Sequence, residues 1–202
     1  MNEEPNSQNI TSDGYLYDLM LSYADIYFQD MAVNTKQIAR VIDVEVPLSI
    51  ELEGWTIKYK KNLKACGECH LKRKFILINP EQANSEVKLT VLHEMIHAFN
   101  YMLFDKYKEF FLIYFYNKLI KKIGKKKLHR IINLYLDWDL RVKDHSLLFL
   151  LKSLELDLRL KKPLGTVMAY GRCDIFHYYQ NKKLEWIPKR NEHSTRSDSK
   201  EV

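Results

Sequence analysis

The five residues from His93 to His97 read His-Glu-Met-Ile-His, and their types and spacing fit a catalytic metal site. They lie inside the apolar-periodic run from Val87 to Phe104, which predicts a helix. Because residues four apart share one face of a helix, His93 and His97 can direct two imidazoles at one ion. Glu94, beside them, can reach a water molecule on that ion and act as a general base. This combination predicts a zinc-dependent hydrolase, and within that class a protease.

The same string can also arise by chance, with the two histidines at helix ends or in a core. The neighbouring residues argue against chance, because they predict that the helix is buried. Buried polar side chains need partners, and a metal ion satisfies two histidines and a glutamate most simply. The apolar neighbours are Val91, Leu92, Met95, Ile96, Ala98 and Phe99.

A catalytic zinc takes three protein ligands and leaves one position for water, so a third ligand must lie elsewhere. The downstream candidates are His129, His145, His177, Glu109 and Asp144. His145 begins an apolar pattern that predicts a helix, and a helix start holds an imidazole rigidly. We therefore predict His145 as the third ligand, with a capping or surface histidine as the alternative. His129 lies among lysines, where an exposed side chain is expected.

Positive charge is concentrated in three clusters, and the formal net charge of the 202 residues is +6. Such clusters occur at nucleic-acid contacts, and also on ordinary solvated faces. Two aromatic residues interleave with the first cluster, and aromatic rings can stack on unpaired bases. The sequence thus suggests a DNA- or RNA-binding surface made of Trp55, Tyr59, Lys60, Lys61 and Lys64. The three clusters are Lys58, Lys60, Lys61 and Lys64; Lys72, Arg73 and Lys74; and Lys121, Lys122, Lys125, Lys126 and Lys127.

The three cysteines are too few, and odd in number, for a disulfide framework. Cys66 and Cys69 have the spacing of half a zinc site, and Cys173 with His177 could supply the other half. The alternative is that they are free thiols near strand ends. No apolar run approaches the ~20 residues of a membrane-spanning helix, so we expect no membrane contact. The start of the chain is polar and acidic, unlike a signal peptide, so an intracellular protein is expected.

Periodicity and turn residues predict one main domain over residues 12–165, preceded by a disordered segment 1–11. Residues 166–187 suggest a small hairpin, and 188–202 a disordered tail. The predicted elements are a helix over about 14–30 capped by Asp13, strands over 55–59 and 75–78 joined by a loop or hairpin, the motif helix capped by Asn84 or Ser85, and helices over about 107–123, 128–138 and 145–160.

Taken together, these residues resemble the SprT-like zinc metalloprotease family over about residues 14–160. Leu92–Ala98, Leu-His-Glu-Met-Ile-His-Ala, is similar to the family's motif. Trp55 and the segment 64–69 resemble its tryptophan and its cysteine-containing hairpin. The segment 145–149, His-Ser-Leu-Leu-Phe, resembles its distal His-Gly-x-x-Phe, with Ser146 in place of the glycine.

The resemblance implies an α+β, zincin-like domain with helices packed on a small antiparallel or mixed sheet. The long gap between His97 and His145 implies an inserted helical unit at about 105–143. The zinc ribbon common in the family has too few ligands here, so residues 166–187 would hold a degenerate one or none.

The function implied is cleavage of DNA-bound or DNA-crosslinked proteins, in DNA–protein crosslink repair, with DNA as activator. Single-stranded regions are the expected DNA partner, and the nucleus, at chromatin, is the expected location. In the predicted mechanism, Zn²⁺ is held by His93, His97 and His145, and Glu94 is the base, with Tyr101 or Tyr170 as possible oxyanion donors. Two alternatives stay open: a zinc peptidase acting on free peptides without DNA, and a non-catalytic, zinc-stabilised DNA-binding module.

Overall fold

The computed structural model describes residues 12–28, 54–103, 105–137 and 145–168, which contain five α-helices and three β-strands. The predicted disordered ends and the predicted hairpin beyond residue 168 lie outside these residues, as do Asp144, Tyr170, Cys173 and His177. None of the described helices is long and apolar enough to cross a membrane. The elements are α1 (Asp13–Tyr23) with a π-helical turn (Ala24–Phe28), β1 (Thr56–Tyr59), β2 (Gly67–His70) with a 3-10 turn (Leu71–Arg73), β3 (Phe75–Ile78), α2 (Asn84–Met102), α3 (Asp105–Ile123), α4 (Lys125–Asp137) and α5 (Leu147–Arg159).

The sheet has the order β1-β3-β2 and is mixed, which confirms the predicted α+β class. β1 runs parallel to β3, and β2 runs antiparallel to it, with Gly67 opposite Ile78 and His70 opposite Phe75. The segment predicted as a loop or hairpin therefore contains a strand. Among the described strands, β2 is an edge strand, and it packs against α2.

The starts of two helices differ from the sequence-based predictions. Ser12, not Asp13, caps α1, because its hydroxyl accepts a hydrogen bond from the Tyr15 amide at 3.2 Å. The Asp13 carboxylate accepts from the Tyr59 amide at 2.8 Å instead, so it joins α1 to β1. At α2 the capping position is Ala83, not Asn84 or Ser85, and the Glu86 carboxylate accepts from its amide at 3.3 Å.

The core lies between α2, α5 and the sheet. Helix α3 packs against α5 and adds to this core. Helix α5 is buried on every face from Leu148 to Asp157, so it is the central helix of the described structure. Helices α3 and α4 occupy the segment for which a helical unit was predicted. They contribute Phe111, Phe115 and Leu128 to the same core.

The buried part of α5 includes a lysine and a glutamate that form an ion pair with each other. Lys152 Nζ donates to Glu155 at 2.8 Å and to the Tyr27 carbonyl oxygen at 2.9 Å. Lys118 of α3 donates to the other Glu155 oxygen at 2.7 Å. Burial lowers the pKa of Lys152 to about 8, although the ion pair with Glu155 acts to raise it. These contacts join α5 to α3 and to the π-helical turn after α1.

Candidate metal centre

The structure brings the three predicted histidines together. His93 and His97 lie one turn apart on α2, and His145 lies two residues before α5. One ligand atom from each of the three lies within 4.8 Å of the others, and Nε2 of His93 is 3.0 Å from Nε2 of His145. Within the described residues, these three form the group of His, Cys, Asp or Glu side chains close enough to hold one metal ion.

His145 is held in place by contacts from two other helices. Ser146 caps α5, and its hydroxyl accepts from the Phe149 amide at 3.2 Å. The same hydroxyl accepts from the side-chain amide of Asn100 on α2, also at 3.2 Å. The Tyr135 hydroxyl on α4 donates to the His145 carbonyl oxygen at 2.8 Å. The Ser146 hydroxyl therefore joins the two histidine-bearing segments.

His93 is fixed through its second ring nitrogen. Nδ1 lies 3.0 Å from the carbonyl oxygen of Val167, in the turn after α5. A carbonyl can only accept, so Nδ1 carries the proton and Nε2 keeps a lone pair for a metal. Metal-binding histidines characteristically donate their other N–H to a carbonyl or a carboxylate.

The electrostatic environment of His93 and His97 favours their neutral form. Burial lowers the pKa of His93 well below its usual range, and the nearby His97 and His145 lower it further. Burial and His145 lower the pKa of His97 to about 4. Neutral imidazoles are the form that binds metal. Three nitrogen donors suit zinc, which binds histidine nitrogens at about 2.0–2.1 Å. In a tetrahedral site two such nitrogens are roughly 3.3 Å from each other. The Nε2 atoms of His93 and His145 are 3.0 Å apart, close to that spacing.

Glu94 is buried, at 1% exposure, in the space between α2 and β2. Gly67 makes this placement possible, because a Cβ built there would lie 2.7 Å from Glu94 Oε1 and 2.7 Å from Thr90 Cγ2. Cys69 lies two residues further along β2, where the charge of Glu94 acts on its thiol. Burial, together with the charge of Glu94, raises the pKa of the Cys69 thiol, so the thiol stays protonated. In the sequence Gly67 is marked only by its place in the Cys-x-x-Cys segment, which does not indicate its contact with Glu94.

The residues predicted to bind nucleic acid differ in their exposure to solvent. Trp55 is 1% exposed and packs in the core, so its prediction as a base-stacking residue is wrong. The strand alternation explains this, because Trp55 and Ile57 both face inward. Tyr59 is half-buried, and burial raises its pKa. The side chains of Lys60, Lys61 and Lys64 are exposed and form what we call the basic loop, between β1 and β2.

The other predicted metal ligands within the described residues, His129 and Glu109, are not part of the histidine group. His129 is exposed on α4 and pairs with the Tyr116 hydroxyl at 2.5 Å. Glu109 is exposed on α3, and Tyr101 is exposed near the end of α2. Cys66 and Cys69 are free thiols, and in the part of the chain that the structure describes neither joins a metal-ligating group.

Comparison with known protein families supports the resemblance carried by the motif. The model of the SprT-like family matches residues 19–110. The SprT-like match includes Gly67, Glu94 and both motif histidines, and it ends before His145. It confirms the SprT-like resemblance and indicates a metalloprotease-type function. No curated protein and no solved structure matches the chain.

Proposed function

We propose that the chain is a zinc-dependent endopeptidase with a zincin-like catalytic domain. In this proposal His93, His97 and His145 hold the metal, and Glu94 is the general base. The observation that carries it is the meeting of three imidazoles beside a buried glutamate. The SprT-like match is independent support for a metalloprotease-type function, because it rests on the sequence and not on the geometry of the site.

Each of these side chains has a defined chemical part. When bound, zinc would supply Lewis-acid activation of a water molecule and of the scissile carbonyl. Glu94 would take the proton of the attacking water and pass it to the leaving amine. The hydrogen bond to Val167 keeps the proton of His93 on Nδ1, away from the metal side of the ring. A purely structural zinc site has no use for a general base, which disfavours the non-catalytic DNA-binding module.

The position of β2 favours an extended polypeptide as substrate. This strand lies at the edge of the described sheet and contacts α2, and its Gly67 adjoins Glu94. A peptide that adds to such an edge forms main-chain hydrogen bonds along it. Its backbone would then run alongside the strand whose Gly67 adjoins Glu94.

We also propose that the substrates are proteins bound or crosslinked to DNA, and that DNA activates cleavage in the nucleus. The support is the exposed basic loop beside β1, together with the SprT-like match. Tyr59, at the end of β1, is the aromatic residue that remains for contact with unpaired bases. The competing candidate is a zinc peptidase that acts on free peptides, in which the lysines only solvate the surface.

The catalytic proposal is tested by two variants of the purified protein. Glu94→Gln should retain one zinc per chain, measured by elemental analysis, and should lose proteolysis by roughly 10²–10⁴-fold, because the amide cannot accept the proton. His145→Ala should lose zinc. Near wild-type proteolysis in Glu94→Gln, or unchanged zinc affinity in His145→Ala, would refute the assignment concerned.

The DNA proposal is tested by charge reversal in the basic loop, Lys60, Lys61 and Lys64 to Glu. If each lysine contacts one phosphate, the slope of log affinity against log salt for single strands should fall by about 2. Reversal of Lys125, Lys126 and Lys127, exposed on α4, makes the same charge change elsewhere and is the control. Proteolysis of a DNA-binding protein is followed with and without single-stranded DNA. If DNA neither binds nor changes the rate, the free-peptide peptidase is the better account.

A further inference from the structure

The turn that follows α5 is buried and ends at a metal-site contact. Leu164 is 8% exposed, and Thr166 and Val167 are 3% and 0% exposed. The Thr166 amide and hydroxyl both donate to the Pro163 carbonyl oxygen, at 3.2 and 2.6 Å. The Val167 carbonyl oxygen accepts from Nδ1 of His93 at 3.0 Å. The geometry of this turn therefore sets the position of one imidazole.

A single carboxylate holds the turn. Asp157, in the last part of α5, is 0% exposed. Its Oδ2 accepts from the Gly165 amide at 2.6 Å, and its Oδ1 accepts from the Val167 amide at 2.9 Å. The two oxygens are thus occupied by amides on either side of Thr166. Because both amides point at one rigid, buried group, the Val167 carbonyl has little freedom to turn away from His93.

We propose that Asp157 is a positioning residue of the metal centre, acting on His93 through the turn from Gly165 to Val167. The carboxylate orders the turn, the turn aims the Val167 carbonyl, and the carbonyl fixes His93 as the Nδ1–H tautomer. Nε2 is then directed toward the metal. This inference rests on the proposed function in that His93 is taken as a zinc ligand.

A second buried carboxylate on the same helix provides a matched comparison. Glu155 is 2% exposed and, like Asp157, accepts hydrogen bonds with both oxygens. It accepts from the ammonium groups of Lys118 and Lys152, which belong to the packing of α3 and α5 rather than to the histidine group. If Asp157 only stabilised the fold, substitution of either carboxylate would affect zinc affinity to the same extent. If Asp157 positions His93, only its substitution should lower zinc affinity.

The primary test compares Asp157→Asn with Glu155→Gln in the full chain loaded with zinc. Asparagine offers one acceptor oxygen, so one of the two turn amides faces an NH₂ group instead. Loss of such an outer contact typically lowers metal affinity by roughly 10–100-fold, which chelator competition measures. Glu155→Gln should lower the free energy of unfolding but leave zinc affinity unchanged.

A spectroscopic readout separates positioning from general destabilisation. In the wild type, the buried His93 Nδ1–H should give a slowly exchanging imidazole proton in ¹H–¹⁵N NMR spectra. This signal should broaden or exchange rapidly in Asp157→Asn and persist in Glu155→Gln. Its observation does not require catalysis, and it can be sought in metal-free protein as well.

A second variant covers the case in which Asp157→Asn does not fold. Gly165 has φ +94, which residues with a side chain rarely adopt, so Gly165→Ala should displace the turn while the carboxylate is intact. It should weaken zinc binding and the imidazole signal in the same way. If the folded variants keep wild-type zinc affinity and the wild-type signal, Asp157 has no positioning role. If the wild type itself binds no zinc, the proposed function fails, and the imidazole signal alone then decides between the two roles of Asp157.

Discussion

Gly67→Ala is the substitution whose effect follows most directly from the geometry of the site. A methyl group at this position would lie 2.7 Å from Glu94 Oε1, 2.7 Å from Thr90 Cγ2 and 2.9 Å from Glu94 Cγ. Ordinary van der Waals contacts begin at about 3.4 Å, so β2 and the Glu94 side chain must separate by roughly 0.7 Å or more. The change moves the predicted base without altering its chemistry.

The magnitude follows from the sensitivity of catalysis to position. Misplacement of a reacting group by about 1 Å can cost roughly 10²-fold in rate, so kcat/KM should fall by about that factor. Overpacking of a buried contact typically costs about 1–3 kcal/mol of stability as well. Zinc content should not change, because His93, His97 and His145 lie outside the overlap.

The assay is proteolysis of the protein substrate that the wild type cleaves, with zinc measured in the same samples. Gly14→Ala is the matched control, because a Cβ there comes no nearer than 3.9 Å to Ser12 Oγ. The control should keep both activity and zinc. If Gly67→Ala cleaves at the wild-type rate while remaining folded, Glu94 does not act from this position and its assignment as the base is wrong.

Three further outcomes follow from the described contacts. In metal-free protein, the free energy of unfolding should fall by about 2 kcal/mol between pH 7 and pH 5, because the pKa of His97 is about 4 when folded and 6.5 when unfolded, so the unfolded chain binds the proton. Urea titration measures this fall, and His97→Gln should remove that part of it. Lys152→Met leaves Glu155 with less compensation and should cost about 3 kcal/mol in urea unfolding, whereas adding Glu155→Leu should recover part of the loss. Tyr135→Phe removes the hydrogen bond to the His145 carbonyl and should cost about 1 kcal/mol, with a matching rise in zinc dissociation measured by chelator competition.

The histidine group was accessible from sequence because its parts have local signatures. The spacing of His93 and His97 is a property of one helix, and the apolar pattern after His145 marks the start of another. The structure adds how the two segments meet, through Asn100 and Ser146. That contact joins residues far apart in the chain, and periodicity within either helix contains no information about it.

Other features depend on long-range contacts that leave weak marks in the sequence. Alternation along β1 places Trp55 with the buried Ile57, but the nearby lysines favoured an exposed role for Trp55 that its burial excludes. Ser12 and Asp13 are both good caps, and the distant Tyr59 amide decides between them by engaging Asp13. The Val167 contact uses a backbone carbonyl, which no residue type can reveal.

The site is divided along the chain between two distant segments, and this limits how the protein can be shortened. A fragment that stopped at residue 110, where the family match ends, would keep Glu94 and two of the three histidines. It would lack α5, whose burial completes the core, and the turn that fixes His93. Helix α4 cannot be removed as a dispensable appendage either, since its Tyr135 holds the third histidine. The smallest unit that retains every described contact to the three imidazoles therefore extends through Val167.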